Sequence, residues 1–96
     1  MTPELAIQVV INELKRATSK NGKFNSAHEG YAILLEEVDE LWDEIKWNHA
    51  YQIDAAEEAK QVAAMAIRYL IDFGKDDWYY ADGSKAQQED REVESV

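Results

Sequence analysis

No cysteine occurs in the 96 residues, which excludes a disulfide framework, a thiolate zinc site and a cysteine nucleophile. Stability must come from packing alone. Basic residues are scarce, ten against twenty acidic ones, and the formal charge of -10 repels nucleic-acid backbones and anionic membranes, both of which are bound by clustered Lys and Arg. No nucleic-acid or membrane partner is expected. Apolar runs reach only a few residues, far short of the roughly 20 that span a bilayer. The N-terminus has no basic segment followed by an apolar one, so a cytoplasmic protein is expected.

The 46% of hydrophobic residues read as globular, and a chain this short supports one core. The pattern predicts an all-α bundle of three main helices. Thr2 caps the first, with the single proline, Pro3, at the first helical position, where a missing N–H costs nothing. Ile7, Val10, Ile11 and Leu14 form its apolar stripe, and the polar run from Thr18 to Lys23 predicts a loop. Ser26 and Glu29 make a capping box for the second helix, which runs to about Trp47 with Tyr31, Leu34, Val38, Leu41 and Ile45 facing the core.

Asp54 and Glu57 offer a capping box for the third helix, which stops at Gly74. Its inner stripe is read as Ala55, Ala59, Val62, Ala66, Leu70 and Phe73, and its far side, with Ala64, Ile67 and Ile71, is apolar as well. A helix apolar on both sides predicts a homo-oligomer, a homodimer or homotetramer, with this helix central. Residues 1–82 form the helical domain, and residues 83–96 a polar tail or short, weak fourth helix.

Six acidic residues fall within nine positions: Glu36, Glu37, Asp39, Glu40, Asp43 and Glu44. An acidic run is most often a solvated helix face. On a helical wheel with Leu34 at the origin, however, Glu37, Glu40 and Glu44 project at about 300°, 240° and 280°, flanking the core stripe instead of opposing it. Glu58 and Gln61 take the corresponding flank of the third helix at about 300° and 240° from Ala55. Two antiparallel helices can therefore bring three carboxylates and an amide around one pocket. Such crowding calls for a cation, and oxygen ligands favour Mg²⁺, Mn²⁺ or Ca²⁺ over softer metals.

The string Glu36-Glu37-Val38-Asp39-Glu40-Leu41, followed eighteen residues after Glu40 by Glu58-Ala59-Lys60-Gln61, resembles the two-helix signature of the all-α nucleoside triphosphate pyrophosphatases, and residues 24–72 resemble their MazG-like branch. That resemblance implies Mg²⁺ held by a Glu-x-x-Glu pair and a Glu-x-x-Asp pair, and cleavage of a nucleoside triphosphate to monophosphate and pyrophosphate. Glu37, Glu40 and Glu58 fall on three of the four positions as catalytic metal ligands. Gln61 stands where the family has Asp, so the fourth ligand is neutral, which weakens the binding of a second metal.

Lys46, Lys60 and Arg68 are the candidate phosphate-binding cations, and Phe24, His28 and Trp47 the candidate base contacts. Neither histidine completes the Glu-x-x-His spacing of di-iron bundles. The competing reading is a non-catalytic acidic interaction module or DNA mimic, which spreads its acid over an outer surface instead of gathering it in one pocket.

Overall fold

The computed structural model describes residues 1–47 and 53–78, which form three helices: α1 (Pro3–Asn21), α2 (Ala27–Trp47) and α3 (Ile53–Phe73). No strand occurs among the described residues. The expected short fourth helix and polar tail lie outside them. No helix of the described residues is long and apolar enough to cross a membrane.

Local chemistry sets the helix ends. The Thr2 hydroxyl accepts the Leu5 N–H at 3.1 Å, with Pro3 in the first turn. α1 then runs on through Thr18 to Asn21, the first four of the six residues expected to form a loop, and leaves Gly22 and Lys23 outside it. The short polar side chains of Ser19 and Asn21 bond back to the helix's own carbonyls, those of Arg16 and Ala17, and so complete its last turn. It stops at Gly22, whose positive φ of 70° suits a residue without Cβ.

At the start of α2 the Ser26 hydroxyl accepts the Glu29 N–H at 3.1 Å. Glu29 reaches past Ser26 to the Asn25 N–H at 2.7 Å and the Asn25 amide at 3.0 Å, so the capping box extends one residue further back than its usual form. Asp54, read as a cap from the sequence, lies inside the first turn of α3. At the other end of α3 the Gly74 N–H bonds the Leu70 carbonyl at 2.7 Å.

α3 packs against both α1 and α2, while α1 and α2 do not pack on each other. The core therefore follows α3: Ala64 and Met65, with Ala17 from α1 and Phe24 from the α1–α2 loop, flanked by Val10, Leu14, Ile33, Leu34 and Tyr69. The loop is tied down from α3, because Asp72 accepts the Phe24 N–H at 2.9 Å and the Arg68 guanidinium donates to the Gly22 carbonyl.

Both apolar stripes read from the sequence turn away from this core over part of their length. On α3, Ala64 is fully buried and not on the far side, whereas Ala59, Leu70 and Phe73 are exposed. On α2, Tyr31, Val38 and Ile45 are 61%, 40% and 39% exposed, and Gly30, Ile33, Leu34, Glu37 and Leu41 take the inward side. Periodicity finds a stripe but does not say which stripe meets a neighbour. Here contact is set by close approach at Gly30, where an added Cβ would stand 2.8 Å from Tyr69 Cδ2 and 3.0 Å from Phe24 Cδ2.

Gly30→Ala therefore tests the packing. Helix propensity alone favours alanine by about 1 kcal/mol, but forcing a methyl between two packed rings costs about 1–3 kcal/mol. Chemical denaturation should show a net loss of stability. A gain of about 1 kcal/mol would mean that the rings are not held there.

Candidate metal centre

Glu37 and Glu40 lie one helical turn apart on α2, so one face presents both. Packing of α2 on α3 adds Glu58, and one carboxylate oxygen from each of the three lies within 4.8 Å of the others. Glu37 and Glu58 are half-buried and Glu40 is exposed.

Two full charges about 5 Å apart repel by about 3 kcal/mol at an effective dielectric constant of about 20. Without a cation the cluster is expected to hold a proton. Burial is the largest cause raising the Glu58 pKa, followed by its interactions with Glu40 and then Glu37, and together they push it up to about 7. Glu37 is also raised, by burial first and then by the Glu40 charge.

With all three groups ionised, Glu58 Oε2 is buried with no donor to satisfy it, and only a proton shared with Glu40 or Glu37 gives it a hydrogen bond. An orphaned buried carboxylate oxygen beside two further carboxylates fits a hard divalent cation, which would neutralise the charge and satisfy the oxygen together. Glu37, Glu40 and Glu58 are the residues that would hold such an ion.

Gln61 lies one turn beyond Glu58, and its amide acts on a carboxylate that the sequence reading missed. Glu13 of α1 is only 6% exposed. Arg16 donates to it through Nε at 3.1 and 3.2 Å and through Nη2, and Lys60 Nζ stands 4.0 Å away. Arg16 foremost, and the Gln61 amide more weakly, hold the Glu13 pKa below its ordinary value against the opposing effect of burial. Glu13 also adds to the negative field on Glu37.

A cavity of about 480 Å³ opens where α1 and α2 diverge over α3, and Arg16, Lys23, Phe24, Glu37, Gln61 and Arg68 are among its lining residues. Two of the six candidate phosphate and base contacts, Phe24 and Arg68, thus reach the same cavity as Glu37. Phe24 is largely buried in the core, with the Arg68 guanidinium 4.3 Å from its ring centre.

The other four do not line this cavity. Lys46 pairs with Asp43 at 3.4 Å and lies over the Trp42 and Trp47 rings. Lys60 pairs with Glu57 at 2.8 Å. His28 is exposed in the first turn of α2, and Trp47, at its end, is 78% exposed.

Arg16 was also missed from the sequence. A Glu and an Arg three apart on a polar helix read as an ordinary surface pair. The available signal was the position of Glu13 beside Leu14 and Val10, near the apolar stripe of α1.

No protein-family model matches the chain, and no curated protein or solved structure was found to match it.

A carboxyl raised by folding stabilises the protein below its unfolded pKa, and that contribution disappears as pH rises through the folded value. Metal-free protein should therefore lose stability between about pH 5 and pH 8 as Glu58 and Glu37 ionise. Thermal melting across this range should show the fall in the natural chain and a flatter profile in Glu58→Gln. An equal slope in the two proteins would remove Glu58 as the origin.

Proposed function

We propose that the chain is a divalent-cation-dependent nucleotide pyrophosphohydrolase, cleaving a nucleoside triphosphate to the monophosphate and pyrophosphate. The observation that carries this reading is the convergence of Glu37, Glu40 and Glu58 from two helices around the unpartnered oxygen of Glu58. The motif resemblance, carried by the same three residues, agrees with it.

In this reading the three carboxylates hold Mg²⁺ or Mn²⁺. When bound, the ion supplies Lewis-acid polarisation of phosphate oxygens and of the attacking water. Glu40, the exposed member, is the one solvent reaches most readily, and it accepts the proton as water adds to phosphorus and pyrophosphate leaves. No covalent intermediate is needed, since water is the nucleophile. Gln61 keeps the fourth position neutral, which favours one tightly held ion over two.

Self-association is part of the proposal. Tyr31, Leu35, Val38, Trp42 and Ile45 form an exposed stripe along α2, and the large apolar side chains buried in the core are only Phe24 and Met65 among the described residues. A second copy would cover this stripe.

Two measurements test these statements. Common ribo- and deoxyribonucleoside triphosphates, screened with Mg²⁺ or Mn²⁺ for released pyrophosphate, should include at least one substrate. Glu37→Gln, Glu40→Gln and Glu58→Gln should each reduce its turnover by about 100-fold or more while the helices stay folded. Gln61→Asp should tighten metal binding. No turnover of any nucleotide, with no metal-dependent rise in melting temperature, would favour the acidic interaction module instead. Sedimentation at micromolar concentration should give a dimer or larger species, and Val38→Glu should shift it toward monomer; a monomeric natural chain would remove the assembly.

A further inference from the structure

The chain has only ten basic residues, yet three of them, Arg16, Lys23 and Arg68, line a cavity that also reaches Glu37 and Gln61. Against the two carboxylates of the lining, Glu29 and Glu37, these three cations leave a small excess of positive charge, in a protein whose net charge is -10. Arg68 is committed to the fold, through the Gly22 carbonyl and the Phe24 ring. Lys23 is an exposed side chain at the cavity rim. Arg16 is different in kind.

A guanidinium carries five N–H donors. Glu13 engages the Nε–H and one Nη2–H along one edge of Arg16, which leaves three donors without a hydrogen-bond partner among the described residues. The Arg16 side chain is 58% exposed, whereas Glu13 is 6% exposed. A buried carboxylate thus grips one edge of the fork from below, and the solvent-facing remainder stands at a cavity whose wall includes a member of the carboxylate cluster. Fixing one edge of an arginine in this way reduces the ordering needed when the other edge binds a planar or tetrahedral oxyanion.

We propose that this cavity is a polyphosphate site, in which Arg16 anchors the phosphate chain of a phosphoanhydride ligand and Glu13 is the residue that positions Arg16. The proposal rests on the pyrophosphohydrolase reading in one respect: Glu37, Glu40 and Glu58 would hold the cation that meets the phosphate chain on one side, and Arg16 would bind the chain on the other. It also accounts for Gln61. An aspartate there would set a further negative charge against Glu13 and compete for Arg16, whereas the amide stabilises the Glu13 carboxylate.

Inorganic tripolyphosphate isolates this site from base recognition and turnover. Its affinity for the full-length chain is measured by calorimetry with and without saturating Mn²⁺, and Mn²⁺ affinity is measured separately without phosphate. Arg16→Gln should weaken tripolyphosphate binding about 10- to 100-fold, as expected for loss of charge-assisted bonds to phosphate. Its Mn²⁺ affinity should stay within about twofold or tighten.

Glu13→Gln should weaken tripolyphosphate binding in the same direction without loss of Mn²⁺ affinity, a split that a purely structural role would not produce. Arg16→Lys should restore only part of the affinity, having lost the fork. Lys15→Gln removes the same charge from an exposed neighbour outside the cavity and should change nothing.

Equal tripolyphosphate affinity in the natural chain and Arg16→Gln would overturn the proposal, as would a natural chain that binds no tripolyphosphate under either condition. Arg16-dependent binding in a chain that binds no Mn²⁺ would support the anion site and overturn the metal reading, so the two fail separately.

Discussion

Three carboxylates share the contact between α2 and α3, and their mutual repulsion is the constraint around which the rest of the molecule is arranged. Packing the two helices through Gly30, Ile33 and Leu34 brings Glu37 and Glu58 into partly buried positions, where water screens them poorly. A proton relieves the repulsion at the cost of the charge, and a divalent cation relieves it while keeping all three groups ionised. The raised Glu58 carboxyl and its orphaned oxygen are two expressions of that choice. Helix packing and the carboxylate cluster thus have one origin, because the contact that builds the core also brings the three carboxylates within 4.8 Å of one another.

The divergence of α1 from α2 follows from α3 serving both as a partner. Helices that each pack on a third without touching one another leave a cleft between them. In this chain the cleft is not filled with apolar side chains. It is walled by Arg16, Lys23 and Arg68, by the carboxylates Glu29 and Glu37, and by Gln61 and two asparagines, with Phe24 and Met65 at the core side. The basic groups are held by named partners: Glu13 holds Arg16, and the Gly22 carbonyl holds Arg68. The cleft is thus framed by helices and by a loop tied to α3 through Asp72.

The apolar residues divide unusually between inside and outside. Ala17, Ala55 and Ala64 are buried, while Tyr31, Trp42, Leu70 and Ile71 remain more than half exposed. Small residues at the centre of a three-helix contact permit close approach, at the expense of the area removed from water. Tyr31, Leu35, Val38, Trp42 and Ile45 thus leave a continuous apolar stripe exposed on α2, and only Tyr31, Val38 and Ile45 of it belong to the stripe that the helical period marks as core-facing.

The helices were legible in the sequence because their causes are local. Thr2 with Pro3, Ser26 with Glu29, and Gly74 each act within one turn, and apolar recurrence at helical spacing needs no knowledge of neighbours. The pairing of Glu37 with Glu40 was legible for the same reason, since three residues is one turn. Tertiary structure alone decided which stripe of α2 and of α3 would be covered. Steric fit at Gly30 selected faces that hydrophobic period could not rank, placing Ala64 inside and Tyr31 outside.

It also decided the worth of Glu13 and Arg16. In sequence they are one more exposed pair on a polar helix. Packing of α1 on α3 buries one partner and leaves the other half-free at the cavity, a difference that arises because burial depends on what lies opposite a residue and not on its neighbours along the chain.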